Sequence, residues 1–139
     1  MRASTYGRWP TARAEYSLPR RDSSVRWARR LTSAFLAHPV DPALTGDQLL
    51  QDATLVVSEL VTNATRHGDG DCRLRLYAAA GLLIVEVHDS NPSRPRVGPM
   101  PGLTESGRGI AMVRHVARSF SVTSDRGGGK TVRAVLGPS

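Results

Sequence analysis

Four sites in this 139-residue chain carry side chains or backbone suited to chemistry. Glu59 and Asn63 lie four residues apart in Val56-Val57-Ser58-Glu59-Leu60-Val61-Thr62-Asn63-Ala64-Thr65-Arg66-His67-Gly68. On a helix that spacing places a carboxylate and an amide on one face, one turn apart. The carboxylate can accept a proton and the amide oxygen can bind a hard cation. Asp89 ends an apolar alternating run and offers a second carboxylate. Gly107-Arg108-Gly109 opens a helical pattern, where close backbone N–H groups and the helix dipole favour an anion. Gly129-Lys130-Thr131 enters the last alternating run.

Other chemistries fit poorly. The Gly-Lys-Thr triplet is not a Walker loop. That motif needs glycine at position 124, where Ser124 stands, and a helix after it, where a strand pattern follows. His67 has no second histidine or carboxylate at ligand spacing, and no Gly-x-Ser-x-Gly elbow is present.

The elements that must position these sites follow from periodicity. Leu49, Ala53, Val56, Val57, Leu60, Val61 and Ala64 recur at helical spacing and fill one broad arc. Glu59 and Asn63 sit at the margin of that arc. Thr45 and Gln48 are spaced as a capping box for this helix, and Gly68 and Gly70 end it. Upstream, Ala12 to Leu18 alternates as a short amphipathic strand that Pro19 ends. Asp22 or Ser23 can cap a helix running to Ala37, with Val25, Ala28, Leu31 and Phe35 inward and Arg26, Arg29 and Arg30 on the other face. Cys72–Tyr77 and Leu82–His88 form a hairpin about Ala79-Ala80-Gly81. A loop rich in proline and glycine runs from Asn91 to Ser106. After the Gly107–Gly109 stretch, Ile110, Val113, Val116 and Ala117 are the inward residues of a helix. Phe120–Ser124 and Thr131–Leu136 are strands joined at Arg126-Gly127-Gly128-Gly129. The order β-α-α-β-β-loop-α-β-β predicts an α+β, two-layer sandwich: a mostly antiparallel mixed sheet covered on one face by about three helices. Residues 1–11 are expected to be a loose tail, and 12–137 one domain.

The net charge of +7 raises nucleic acid as a partner. Residues 1–30 hold eight arginines against Glu15 and Asp22, which is +6 of that total. The rest of the chain is nearly neutral. This distribution argues for a basic N-terminal face that meets an acidic protein, and against direct nucleic-acid binding. The lone cysteine, Cys72, excludes an internal disulfide. No apolar stretch approaches the ~20 residues of a membrane span, and no secretory apolar core follows the N-terminus. A reducing cytoplasm is the expected setting.

The order of the four sites is more specific than any one of them. Val-Ser-Glu-Leu-Val-Thr-Asn-Ala-x-Arg-His-Gly comes first, then a strand ending in Asp89 and a proline-rich loop. Glu-Ser-Gly-Arg-Gly-Ile and Gly-Lys-Thr follow. This pattern resembles the GHKL, or Bergerat-fold, ATP-binding domain of the histidine-kinase type. It is similar in particular to the bacterial anti-sigma-factor serine kinases and to small stand-alone proteins like them, over about residues 12–136. The resemblance implies that Asn63 binds Mg²⁺ bridging the ATP phosphates. Glu59 would be the general base, and Asp89 would accept a hydrogen bond from the adenine amino group. Gly107 and Gly109 would approach the phosphates, and Thr131 would lie near the adenine. Asn91, Arg108 and Lys130 fall in the same motifs and join the nucleotide-binding set. Residues 92–106 would be the ATP lid. One departure is that Asp89-Ser90-Asn91-Pro92 lacks both glycines of the wider Asp-x-Gly-x-Gly pattern.

By resemblance the chain is expected to be a serine/threonine protein kinase that uses ATP and Mg²⁺. Its substrate would be an anti-sigma-factor antagonist, its second partner a sigma factor, and its assembly a homodimer. The arginine face of the first helix is the candidate contact surface. The competing reading is a non-catalytic module in which ATP gates a protein contact. A detached histidine-kinase catalytic domain ranks third, because no phosphoacceptor-helix pattern precedes the first strand.

Overall fold

The computed structural model describes residues 12–38, 41–67, 70–90 and 105–137. Asn91 and lid positions 92–104 lie outside them, as do Gly68 and the tail 1–11. Five strands form one sheet in the order β1-β2-β3-β5-β4. They are β1 (Ala12–Leu18), β2 (Cys72–Ala79), β3 (Leu82–Asp89), β4 (Ser119–Ser124) and β5 (Lys130–Leu136). All four pairings are antiparallel. The helices are α1 (Ser23–Ala37), α2 (Asp47–His67) and α3 (Glu105–Val116). The α+β sandwich expected from the periodicities is the architecture observed.

Period-2 burial fixes which face of the sheet meets the helices. Leu74 and Leu76 of β2, Leu83, Val85 and Val87 of β3, and Val132, Ala134 and Leu136 of β5 are buried. Their neighbours Arg73, Arg75, Glu86 and Arg133 lie on the opposite face and form a charged ladder. There, Glu15 approaches Arg75 at 3.2 Å and Arg73 at 3.4 Å. The arc of α2 predicted to be apolar is the centre of the core: Ala53, Val56, Val57, Leu60, Val61 and Ala64 are all buried, with Leu49 packed against them. That burial, more than propensity, holds α2 helical.

Three local expectations are corrected, for the cap of α2, the inward face of α1 and the start of α3. The capping box does not form: Thr45 Oγ1 donates to the Pro42 carbonyl, and the Gln48 amide donates to Asp52 Oδ1. Gly46 supplies the carbonyl that receives the Leu50 N–H at 3.3 Å. In α1, Asp22 is the N-cap residue but makes no side-chain cap bond, and the most buried stripe is Ser24, Ala28, Thr32 and Leu36. The two hydroxyls are satisfied locally, Ser24 by the Pro19 carbonyl and Thr32 by that of Ala28. The loop through Asp41 is built more tightly than its sequence suggests. Asp41 Oδ1 caps the 3-10 turn Pro42–Leu44 through the Ala43 N–H, and Oδ2 accepts from the Gly81 N–H at 2.8 Å. Asp41 therefore ties this turn to the β2–β3 hairpin, whose two turn residues have positive φ (Ala80 51°, Gly81 79°). Finally, α3 begins at Glu105, so Gly107 and Gly109 lie inside its first turns, and Ala117 falls just beyond its end.

Candidate active site

Two clusters on the helix-facing side of the sheet bring the sequence-predicted residues together. The first joins α2 to α3. Asn63 lies on the last turns of α2 and is 7% exposed, one of the few buried polar side chains. Its amide makes no hydrogen bond among the described residues. Glu59, one turn earlier, is half-buried. Its carboxylate lies against the backbone of Gly109: a Cβ on that glycine would stand 2.9 Å from Glu59 Cδ and closer still to Oε1. Only glycine lets α3 approach with Glu59 in this position. The Glu/Asn motif and the Gly-x-Gly motif, 46 residues apart by the interval Asn63 to Gly109, are therefore one structure. Arg108 is exposed beside them.

The second cluster lies at the paired ends of β3 and β5. Asp89 and Lys130 are register partners, and both point to the helix side. Lys130 Nζ donates to Asp89 Oδ1 at 2.9 Å, with side-chain exposures of 1% and 2%. The charge of Asp89 reaches Cys72 on the neighbouring strand. Burial first, and Asp89 second, push the Cys72 thiol up to about 11. Cys72 is a buried thiol held toward its protonated form. The turn feeding β5 is equally tight: a Cβ on Gly129 would meet the Asp89 carbonyl oxygen at 2.5 Å.

Thr131 does not join this cluster. One residue beyond Lys130, it projects from the opposite face, where its Oγ1 lies 3.3 Å from His88 Nδ1. His88 Nδ1 also lies 2.8 Å from Asp125 Oδ2 in the β4–β5 turn. Of the Gly129-Lys130-Thr131 triplet, the strand pleat sends the lysine inward and the threonine outward. Asn91 lies outside the described residues.

The donor set suits a nucleotide with a hard cation. A buried amide oxygen on Asn63 is a suitable ligand for Mg²⁺, which usually takes one or two protein ligands and completes its shell with phosphates and water. Among the described residues no group of three or more His, Cys, Asp or Glu side chains could hold a metal alone. The Gly109 backbone, with no side chain, leaves room for the Glu59 carboxylate to lie against the first turns of α3. Asp89 supplies an acceptor at the other end.

Comparison with known proteins identifies the family and the fold. The family described as histidine kinase-like ATPase domain matches residues 18–136. A search of curated protein sequences gave no match. Among solved structures, the chain is similar to the crystal structure of the RsbU and RsbW domains of Rv1364c from Mycobacterium tuberculosis. The likeness has a TM-score of 0.66 at 20% identity, over 94% of this chain and 33% of that one. It is a likeness of fold, and this chain spans about a third of that protein's length.

Proposed function

Because the chain belongs to the histidine kinase-like ATPase domain family, we propose that it binds ATP with Mg²⁺ and phosphorylates a serine or threonine of a small regulatory protein. The observation that carries this reading is the Glu59 carboxylate seated over Gly109, one turn from the buried Asn63 amide. That position sets a carboxylate beside the start of α3, within reach of a group bound there.

In this reading the site is one domain, residues 12–137, with 92–106 as its lid. Asn63 would hold Mg²⁺ through its amide oxygen, and the cation would neutralise charge on the phosphate oxygens when bound. The backbone about Gly107 and Gly109 receives the phosphates, and Asp89 accepts from the adenine amino group. Glu59 takes the proton of the attacking hydroxyl as that oxygen bonds to the γ-phosphorus and the bond to the ADP oxygen breaks. The substrate is an anti-sigma-factor antagonist, and the same protein sequesters a sigma factor as a homodimer. The fold shared with the RsbW-containing structure supports this choice of partner class. The contact surface is the outer face of α1, where Arg26, Arg29 and Arg30 are exposed and the Arg30 guanidinium lies 5.6 Å from the centre of the exposed Trp27 ring. No described helix is long and apolar enough to cross a membrane.

The test is phosphate transfer from labelled ATP to a candidate antagonist. Glu59→Ala is expected to slow transfer by about a hundredfold or more while leaving ATP affinity within a few-fold. Transfer that survives the substitution undiminished removes Glu59 as the base. ATP binding without transfer to any antagonist replaces the kinase reading with the gating module.

A further inference from the structure

β1 is an edge strand of the sheet. It pairs with β2 without a break, from Ala12↔Ala78 to Leu18↔Cys72, so it carries no bulge, and no proline lies inside it. Pairing on one side leaves every second residue of an edge strand with its N–H and C=O pointing outward. Among the described residues no hydrogen bond is made to that outer edge of β1. An unpaired edge with neither bulge nor proline is a template for another extended chain.

Alongside this edge a groove of about 530 Å³ opens between β1 and α1. Tyr16 and Leu18 line it from the strand, Trp27 and Leu31 from the helix, and Arg21 from the turn between them. Trp27 is 55% exposed, more than any other large apolar side chain among the described residues. The charge around the groove is one-sided. Residues 12–30 hold six arginines against Glu15 and Asp22. Glu15 lines the groove but is engaged by Arg75 at 3.2 Å and Arg73 at 3.4 Å. Arg21 is exposed and makes no ion pair among the described residues.

We propose that this groove takes an extended, acidic segment of a partner protein, added as a strand to the free edge of β1 alongside α1. Main-chain hydrogen bonds to β1 hold the segment, and its alternate side chains enter the groove against Trp27 and Leu31. Arg21 and its neighbouring arginines select acidic residues. None of the groove-lining residues belongs to the ATP site described above, so this surface does not rest on the ATP reading.

Selection of a display library of short random peptides on the full chain tests the chemistry of the occupant. Enriched peptides are expected to be rich in Asp and Glu and to alternate apolar with polar residues. Binding of the best synthetic peptide should slow hydrogen exchange at alternate backbone amides of β1 and leave those of β4 unchanged. Trp27→Ala, at an exposed position, should weaken the peptide about tenfold. Arg21→Glu should weaken it by about the same factor and flatten its salt dependence. Methylating the peptide nitrogens that face β1 should abolish binding, whereas methylating the alternate ones should spare it. A selection that enriches no peptide, or only neutral, basic or helical ones, overturns the proposal. So does binding that Trp27→Ala leaves intact. β1 amides that are protected in concentrated protein alone and lose that protection on dilution assign the edge to a second copy, and overturn it as well.

Discussion

A Cβ added at Gly129 would meet backbone, the Asp89 carbonyl oxygen at 2.5 Å, whereas one added at Gly109 would meet the tip of a side chain, the Glu59 carboxylate. The two ends of the site therefore tolerate change differently. The Asp89–Lys130 end is set by antiparallel pairing of β3 with β5, and its side chains are locked by a buried ion pair. Neither strand can move without breaking the ladder. The Glu59–Asn63 end is set by the approach of two helices, and what a Cβ would meet there is the far end of a long side chain. One end is rigid because backbone defines it, and the other is adjustable because a side chain does. In the proposed function, the end that holds the adenine gains from rigidity. In the same proposal, the end that admits and releases a phosphate and an acceptor hydroxyl gains from a base that can move.

Alanine at the two glycines separates these cases. Gly129→Ala is expected to have the larger effect on the fold. It should destabilise the protein by about 1–3 kcal/mol, the range for forcing atoms into a packed site, read as a lowered midpoint in thermal or denaturant unfolding. Gly109→Ala is expected to change stability by no more than about 1 kcal/mol, because alanine's better helix propensity offsets the displacement of Glu59. Its phosphotransfer should nevertheless fall toward that of Glu59→Ala. If Gly109→Ala unfolds the protein while Gly129→Ala does not, the assignment of rigid and adjustable ends is reversed.

Much of this arrangement was legible in the chain itself. The 3.6 periodicity of α2 located its buried arc and placed Glu59 and Asn63 at the edge of it. The alternation of β2 and β3 gave the hairpin and put Asp89 at a strand end. The order of motifs gave the family. What escaped depended on contacts between elements. Whether Lys130 or Thr131 faces the helices turns on a single residue of strand register, which reverses every side chain. A start of β5 at Thr131 leaves the lysine in the turn; the observed start at Lys130 makes it the inward partner of Asp89. The hydroxyls of Ser24 and Thr32 were not read as buried, because their polar atoms are satisfied by backbone of the same segment. Asp41 carried no signal of its reach to the Gly81 N–H, 40 residues away.

The central claim is that the α2–α3 cluster is the phosphate end of an ATP·Mg²⁺ site, with Asn63 as the protein's link to the cation. It is tested most directly by calorimetric titration of ATP, with and without Mg²⁺, into wild-type protein and Asn63→Ala. Wild-type protein should bind ATP more tightly when Mg²⁺ is present. Asn63→Ala should remain folded and lose that Mg²⁺-dependent gain, at least about tenfold in affinity. A folded Asn63→Ala protein that keeps the full Mg²⁺-dependent gain would contradict the account.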